Sequence, residues 1–187
     1  TNSRSSKRQT KRQKIETPEC QNEAVQIGDS VLARLGHSLR NAGITFTQTQ
    51  HRPVYTSAEA AEVRGVSLHS GAKALVVKGG ENFLMVVIPA DLSLDSHALR
   101  TLLETKKLRF ATKDEVLERT GLTPGSIPPF GSLFNLPTYC DERLADNERI
   151  NFNAGDHSVS IQMNYADYVA YESPRIAKVA EGMSNDE

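Results

Sequence analysis

The chain has 187 residues, of which 38% are apolar, so it is long enough to bury the core of one compact domain. Its only cysteines are Cys20 and Cys140, which excludes a disulfide-rich scaffold and favours a reducing compartment. No run approaches the roughly 18 to 20 apolar residues of a membrane span, and the N-terminus lacks the apolar segment of a secretory signal. We therefore expect a cytoplasmic protein that does not contact a membrane.

Positive charge is concentrated at the N-terminus. Six of the 22 lysines and arginines lie in residues 1–14, which hold no acid, so 16 basic and 23 acidic side chains remain, a formal charge of −7. We predict a disordered basic tail over 1–22, a folded domain over 23–178 and a disordered acidic tail over 179–187. Other interpretations of the basic tail are a nuclear-localisation segment, a nucleic-acid arm or a transit peptide, the last disfavoured because it lacks an apolar face.

The first predicted elements are two helices with a short strand between them. Asp29 is placed to cap a helix that ends at Gly43 and carries apolar residues on one face. These residues are Val31, Leu32, Leu35 and Leu39. Thr45–Thr49 alternates like a strand, and Thr56-Ser57-Ala58-Glu59 matches a capping box that opens a helix ending near Gly65.

A hairpin follows, formed by Lys73–Lys78 and Phe83–Ile88 with a predicted four-residue loop, Gly79–Asn82. Because side chains alternate along a strand, Lys73 and Lys78 point to opposite faces, so only one of them can serve a given pocket.

The remaining pattern predicts helices interleaved with strands. An amphipathic helix carries Leu94, Leu99, Leu102 and Leu103, and a second capping box over Thr112–Glu115 opens a helix that ends at Gly121. The predicted strands are Leu108–Ala111, Leu136–Asp141, Arg149–Asn153 and Ser158–Asn164, and the last helix is Tyr165–Tyr171. Strands joined largely by hairpins predict an α+β fold whose mixed, mostly antiparallel sheet is curled into a partial barrel with flanking helices.

The stretch Gly121–Gly131 holds three glycines and three prolines in eleven residues, so it forms neither a helix nor a central strand. Such a loop can present backbone amides to a ligand, although an ordinary surface turn is the other interpretation.

The lysine that opens Lys73–Lys78, together with the Gly-x-x-x-Pro sequence Gly125–Pro129, resembles the YbaK and prolyl-tRNA synthetase-associated editing domains. The resemblance extends from about Val54 to Tyr171. It implies a YbaK-like fold and a freestanding trans-editing enzyme that deacylates mischarged aminoacyl-tRNA. A small amino acid such as alanine, cysteine, serine or threonine is expected, with tRNA(Pro) as carrier and an aminoacyl-tRNA synthetase as a further partner.

The resemblance also implies the roles of the site residues. Lys73 stands where these domains need a lysine for activity; from spacing alone it would be a solvated residue at a strand end. Backbone N–H groups around Gly125, Ser126 and Ile127 would stabilise the oxyanion as water attacks the ester. Lys73 would orient the substrate through its ammonium; a general-base role is the alternative, and it would require a lowered pKa.

The other candidate substrate-binding residues are Pro129, Gly131, Asp141 and His157. Asp141 resembles an acidic position near the family's site, but an aspartate that only caps a turn is the alternative. His157 corresponds to a pocket wall whose residues vary in the family, and an exposed turn histidine is the alternative. Neither a metal nor a cofactor is expected, because the histidines and cysteines show no paired ligand spacing.

Two other functions remain open on the sequence. The first is a catalytically silent module that binds tRNA or a synthetase, which the presence of both Lys73 and Gly125–Pro129 disfavours. The second is a small-molecule esterase, which would act without RNA and depend little on salt.

Overall fold

The protein is described here by a computed structural model over residues 30–182; the predicted basic tail and Asp29 lie outside that range. The α-helices of this range are α1 (Val31–Asn41), α2 (Ser57–Arg64), α3 (Ser96–Leu102), α4 (Lys113–Thr120) and α5 (Tyr165–Glu172). Its strands are β1 (Phe46–Gln50), β2 (Ala72–Gly79), β3 (Asn82–Pro89), β4 (Leu92–Leu94), β5 (Leu108–Phe110), β6 (Thr138–Asp141), β7 (Arg149–Asn153), β8 (Val159–Asn164), β9 (Arg175–Ala177) and β10 (Ala180–Gly182). Short 3₁₀ helices span Leu68–Ser70, Gly131–Phe134 and Glu142–Asp146.

Within residues 30–182 the strands form three sheets. The largest has the order β5-β2-β3-β6-β9, in which β6 is parallel to both of its neighbours and the other pairs are antiparallel. A second sheet has the antiparallel order β1-β8-β7, and β4 pairs with β10. A parallel bridge between Gly71 and Asn151 joins the start of β2 to β7. The prediction of an α+β fold with a mixed, mostly antiparallel sheet curled into a partial barrel is confirmed, and the barrel is not closed.

Local sequence signals explain where the helices begin and end. Both predicted capping boxes are present, at the starts of α2 and α4. These helices end at Gly65 and Gly121, whose φ angles of 66° and 70° lie in the left-handed region that glycine adopts without a steric penalty. The cap of α1 is Ser30, whose hydroxyl accepts a hydrogen bond from the amide of Ala33.

The hairpin of β2 and β3 is confirmed, with a tighter turn than the sequence predicted. The strands pair continuously from Ala72 opposite Pro89 to Gly79 opposite Asn82, which leaves a loop of two residues rather than four. Gly80 opens this loop with a φ of 62°. A two-residue turn with positive φ matches the right-handed twist of paired strands, so the strands can stay paired up to the turn.

The hydrophobic core lies on both faces of the five-stranded sheet. The larger cluster holds the even-numbered side chains of β2 together with α1, α5, β7, β8 and Phe130. A smaller cluster packs Val77, Val86 and Ile88 against Leu99 of α3 and the buried Val179. Because strand side chains alternate, one hairpin supplies both clusters and holds the layers together.

The C-terminal part of the domain differs from the prediction. Residue 179 was expected to begin a disordered tail, but Val179 and Ala180 are buried and β10 pairs with β4. Leu94, expected on a helix, lies in β4, and Asp95 caps α3 instead. β4 and β10 have three residues each, too few for alternation to have identified them as strands. Among the described helices, none is both long and apolar enough to cross a bilayer.

We expect the capping box of α4 to stabilise the domain in a pH-dependent way. Arg109 donates two hydrogen bonds to Glu115 and the amide of Thr112 donates a third, which together lower the pKa of Glu115 to about 2. A carboxyl group with a lowered pKa stabilises the fold above its ordinary pKa of 4.5, and this contribution is lost as the pH falls towards 2.

The test compares the melting temperatures of wild type and Glu115→Gln between pH 7 and pH 2. Glutamine keeps one oxygen that can cap the helix, and it removes the charge together with one acceptor for Arg109. The deficit of the variant should therefore shrink as the pH falls from about 4.5 to about 2. Glu118→Gln, on the exposed face of the same helix, is the control. A deficit that does not change with pH would contradict the assignment.

Candidate active site

A cavity of about 350 Å³ lies between α2, the first half of β2, the proline-rich loop and β7. Its volume is at the lower end of the range for small-molecule sites. Small side chains form much of its wall, among them Ala60, Ala61, Ala72 and Ala74. The cavity therefore suits a compact group rather than a large side chain.

The cavity lies where β2 has no neighbouring strand on one side. β2 pairs with β3 along its whole length, but with β5 only from Val77 onwards, and the amide of Ala111 binds the carbonyl of Val76. On the same side, Gly71 bridges to β7. Among the described strands, residues 72–75 have no partner on this edge, and all four line the cavity.

Lys73 stands in this unpaired part of β2, half-buried at the cavity wall. Its Nζ donates a hydrogen bond to the carbonyl of Leu92 at 2.7 Å, which fixes the ammonium and leaves two of its N–H donors free of that contact. Burial lowers the pKa of Lys73, and the Asp91 carboxylate opposes that shift. Lys78, on the other face of the strand, lies over the Phe83 ring, 5.3 Å from its centroid, and is not part of the cavity wall.

The proline-rich loop contributes Pro124, Gly125 and Ile127 to the cavity. The N–H groups of Gly125 and Ile127 have no hydrogen-bond acceptor within residues 30–182. Ser126 differs, because its amide and its hydroxyl both donate to the carbonyl of Thr123, at 3.2 and 2.9 Å, and its side chain is buried. The predicted set of amide donors therefore reduces to Gly125 and Ile127.

Three residues predicted to bind substrate lie outside the cavity wall. Pro129 is buried, and its carbonyl accepts a hydrogen bond from the hydroxyl of Tyr168. Gly131 is packed so tightly that a Cβ would lie 2.5 Å from the carbonyl oxygen of Leu136. Asp141 has no exposed surface and binds Arg143. Each of the three makes contacts within the fold, and none of them lines the cavity.

His157 packs behind the loop rather than lining the cavity. Its Nδ1 donates to the carbonyl of Val54 at 3.0 Å, so its Nε2 is left to accept from the hydroxyl of Thr123 at 3.3 Å. A Cβ on Gly125, where φ is 89°, would lie 3.2 Å from the imidazole Cε1. The positive φ favours glycine at position 125, and the His157 ring leaves little room for a Cβ there. The His157 ring also packs against the exposed Tyr55, with ring centroids 4.8 Å apart and the planes tilted by 37°.

Two polar residues of the cavity were not predicted from the sequence. Arg64, the last residue of α2, donates hydrogen bonds to Ser160 and to Asn153, and Asn153 donates to the carbonyl of Gly125 at 2.6 Å. Burial lowers the pKa of Arg64 to about 10. An arginine in the last turn of a helix usually interacts with the helix dipole, so its position gave no sign of a contact across the cavity.

The described residues contain no cluster of three or more histidine, cysteine or carboxylate side chains placed to hold a metal ion. Cys140 is a buried free thiol, and burial, with a further effect of Asp141, raises its pKa to about 12. The thiolate form that a nucleophile requires is therefore strongly disfavoured.

The arrangement of a fixed lysine and two free amides at the wall of one cavity suits an ester hydrolase in which water attacks. Comparisons with known proteins agree with this class. The aminoacyl-tRNA editing domain matches residues 51–171. The multifunctional Ser/Thr-tRNA deacylase ProXp-y of Escherichia coli (strain K12) is 32% identical over 148 residues, which cover 76% of this chain and 89% of that protein.

Two further relatives support the same assignment. The prolyl-tRNA editing protein ProX of Acetoanaerobium sticklandii is 26% identical over 130 residues, covering 66% of this chain and 79% of that protein. A solved structure of a proposed trans-editing enzyme for prolyl-tRNA synthetase has a TM-score of 0.74 and 25% identity, over 82% of this chain and 99% of that one. The chain belongs to the aminoacyl-tRNA editing domain family. The predicted activity, deacylation of mischarged aminoacyl-tRNA, is confirmed.

We expect Gly131→Ala to lower stability rather than substrate affinity. The added methyl group would collide with the Leu136 carbonyl and the Thr138 hydroxyl, at an expected cost of about 1 to 3 kcal/mol in the free energy of unfolding. Gly182→Ala, where a Cβ meets open space, is the control. The free energy of unfolding from urea titration and the KM of the folded variant are the measurements, and a raised KM without loss of stability would restore Gly131 to the binding site.

Proposed function

We propose that this protein hydrolyses the ester of a small amino acid on mischarged tRNA in trans, with serine and threonine as preferred substrates and tRNA(Pro) among the carriers. The observation that supports this proposal is that Lys73 lines one cavity of small side chains together with Gly125 and Ile127, which lie about 50 residues further along the chain. The 32% identity to a Ser/Thr-tRNA deacylase supports the choice of amino acids.

In this proposal the carbonyl oxygen of the ester lies against the free amides of Gly125 and Ile127. Each such donor typically contributes about 3 to 4 kcal/mol of transition-state stabilisation. The prolines of the loop limit its backbone freedom, so the donors are oriented before the substrate arrives.

Lys73 orients the substrate through the ammonium protons that do not bind Leu92. The contact with the Leu92 carbonyl holds Nζ in place, and the nearby Asp91 carboxylate favours its charged form, which supports a positioning role. Water then attacks without a protein nucleophile.

The terminal base of the tRNA is proposed to stack at the mouth of the cavity. Tyr55 and Phe110 both line it and are 74% and 55% exposed, which is unusual for large aromatic side chains. Base stacking on such rings contributes about 1 to 3 kcal/mol per base.

Attraction to the rest of the RNA is assigned to the six basic residues of 1–14 or to a synthetase partner, because residues 15–187 carry a formal charge of −7. Mischarged tRNA is made where synthetases act, which supports the proposed cytoplasmic location.

The decisive experiment measures hydrolysis of a panel of mischarged tRNAs by wild type, Lys73→Ala and Lys78→Ala. The panel carries serine, threonine, alanine and cysteine on tRNA(Pro), with Ser-tRNA(Thr) and Thr-tRNA(Ser) added. We expect Lys73→Ala to lose about 100-fold in kcat/KM, because positioning is lost. Lys78→Ala removes a lysine from the same strand outside the cavity and should stay within a few-fold of wild type.

Wild type that binds these tRNAs without hydrolysing them would replace the proposal with a silent binding module. Equal hydrolysis of small esters without RNA would indicate a small-molecule esterase instead.

Ser126→Ala is expected to keep at least about a third of the wild-type kcat, because the Ser126 hydroxyl is tied to Thr123 inside the loop. The same hydrolysis assay measures it. A fall in kcat comparable to that of Lys73→Ala would make the Ser126 hydroxyl a participant in the reaction.

A further inference from the structure

The loop that carries the amide donors is fastened through its carbonyl groups. The carbonyl of Gly125 accepts from Asn153 Nδ2 at 2.6 Å, and the carbonyl of Ser126 accepts from the amide of Gly155 at 2.8 Å. In a trans peptide the carbonyl and the following N–H point in opposite directions. The N–H of Ile127 therefore points away from Gly155, and the Gly155 contact sets its direction. The Asn153 contact fixes the neighbouring peptide, which joins Gly125 to Ser126.

Arg64 sets the orientation of the first anchor. A guanidinium group only donates, so the oxygen of the Asn153 side chain must face Arg64, and the NH₂ group of Asn153 must face Gly125. A reversed amide would place two donors against each other on one side and two acceptors on the other. The Arg64 contact thus selects the Asn153 orientation that holds the loop.

The guanidinium is itself fixed from the other side. Arg64 Nε donates to Ser160 Oγ at 2.7 Å, and Ser160 Oγ lies 2.6 Å from His51 Nε2. The Ser160 hydrogen is therefore free to be donated to His51, whose Nδ1 then donates to the carbonyl of Arg52 at 2.7 Å. Each of these hydrogen bonds thus pairs one donor with one acceptor, so the contacts from Arg64 through Ser160 and His51 to Arg52 can all form together.

Arg64 makes no ion pair within residues 30–182, although it lines the cavity. Its side chain is partly buried, and desolvating a cation beside neutral partners costs free energy that a neutral side chain would not require. Its positive charge lies at the wall of the cavity in which the ester oxygen becomes negative.

We propose that Arg64 and Asn153 form a positioning relay for the hydrolysis reaction: Arg64 orients Asn153, and Asn153 holds the Gly125–Ser126 peptide, which lies between the Gly125 and Ile127 N–H groups, so that these two amides meet the oxyanion. This inference rests on the proposed function, and neither residue needs to touch the substrate. The charge of Arg64 adds to the stabilisation of the oxyanion through the cavity.

The test measures kcat and KM on the preferred mischarged tRNA for Arg64→Met, Asn153→Ala, Asn153→Asp and the double variant Arg64→Met/Asn153→Ala. Each single variant should lose about 10- to 100-fold in kcat with KM within a few-fold of wild type, because misplacement by about 1 Å has effects of this size. The double variant should lose no more than about the larger single loss, because both substitutions break one relay.

Asn153→Asp separates the two halves of the relay. It retains an acceptor for Arg64 but presents an oxygen rather than an NH₂ group to the Gly125 carbonyl, so its kcat should fall as far as that of Asn153→Ala. Arg119→Met is the matched control, since Arg119 also lies in the last turn of a helix but stacks on Phe83 outside the cavity. Melting temperatures of all variants show whether each remains folded at the assay temperature.

Three results would overturn the relay. A rise in KM at constant kcat in Arg64→Met would show that Arg64 binds the substrate directly. Multiplicative losses in the double variant would show two independent contributions. Unchanged kcat in folded Arg64→Met would reduce the contact to a structural one.

The relay can also be tested without substrate, by nuclear magnetic resonance of the loop amides. The ¹H–¹⁵N amide resonances of Gly125 and Ile127 should shift in Arg64→Met and not in Arg119→Met. If wild type hydrolyses none of the tRNAs, the proposed function fails, and these resonances still test the relay. Unchanged resonances in Arg64→Met would overturn the relay whatever the activity.

Discussion

The unpaired edge of β2 is the constraint on which the site depends. Gly71 is bridged to β7 and Val76 is bound by Ala111, so within residues 30–182 the strand has neighbours at both ends of the edge and none between them. A closed barrel would have filled this gap with another strand. Because the sheet stops short of closure, a cavity with backbone on one wall remains inside an otherwise packed domain.

The second wall of that cavity shows how a loop rich in proline is held in place. Prolines donate no hydrogen bonds, so such a loop cannot be stabilised by a ladder of its own amides. Here the surrounding elements donate to its carbonyls instead, from Asn153, Gly155 and Tyr168. The N–H groups that the loop does possess are consequently not all needed for folding, and those of Gly125 and Ile127 remain available for chemistry.

Local signals in the sequence predicted much of the fold. The capping boxes at Thr56 and Thr112 and the β2–β3 hairpin depend on neighbouring residues, and the structure contains each of them. The parallel pairing of β6 with β3 and β9 joins segments far apart in the chain, which no local pattern encodes. The same distinction between local signals and contacts made across the chain holds in the site.

Lys73 and the loop were found because they resemble a family pattern, and the structure brings them to one cavity. Arg64 and Asn153 were missed because their partners lie about 90 residues away along the chain. The N–H of Ser126 was predicted to bind the oxyanion, but it already donates to the carbonyl of Thr123. Composition shows that a loop has N–H groups and does not show which of them are already bonded. Asp141 was predicted to lie near the substrate, and the structure buries it outside the cavity wall. A carboxylate at the end of a strand has the same sequence whether it faces a ligand or the interior.

The buried carboxylate of Asp141 has a consequence for where the domain ends. It accepts hydrogen bonds from the amides of Val179 and Ala180, at 2.8 and 2.7 Å, in addition to its contacts with Arg143. A protein shortened to residue 178 would keep the charge in the interior and lose two of the groups that replace its hydration, at a cost of about 1 to 3 kcal/mol or more. The amides of Val179 and Ala180, at the start of β10, thus stabilise the buried Asp141 carboxylate, and the minimal folding unit includes both residues.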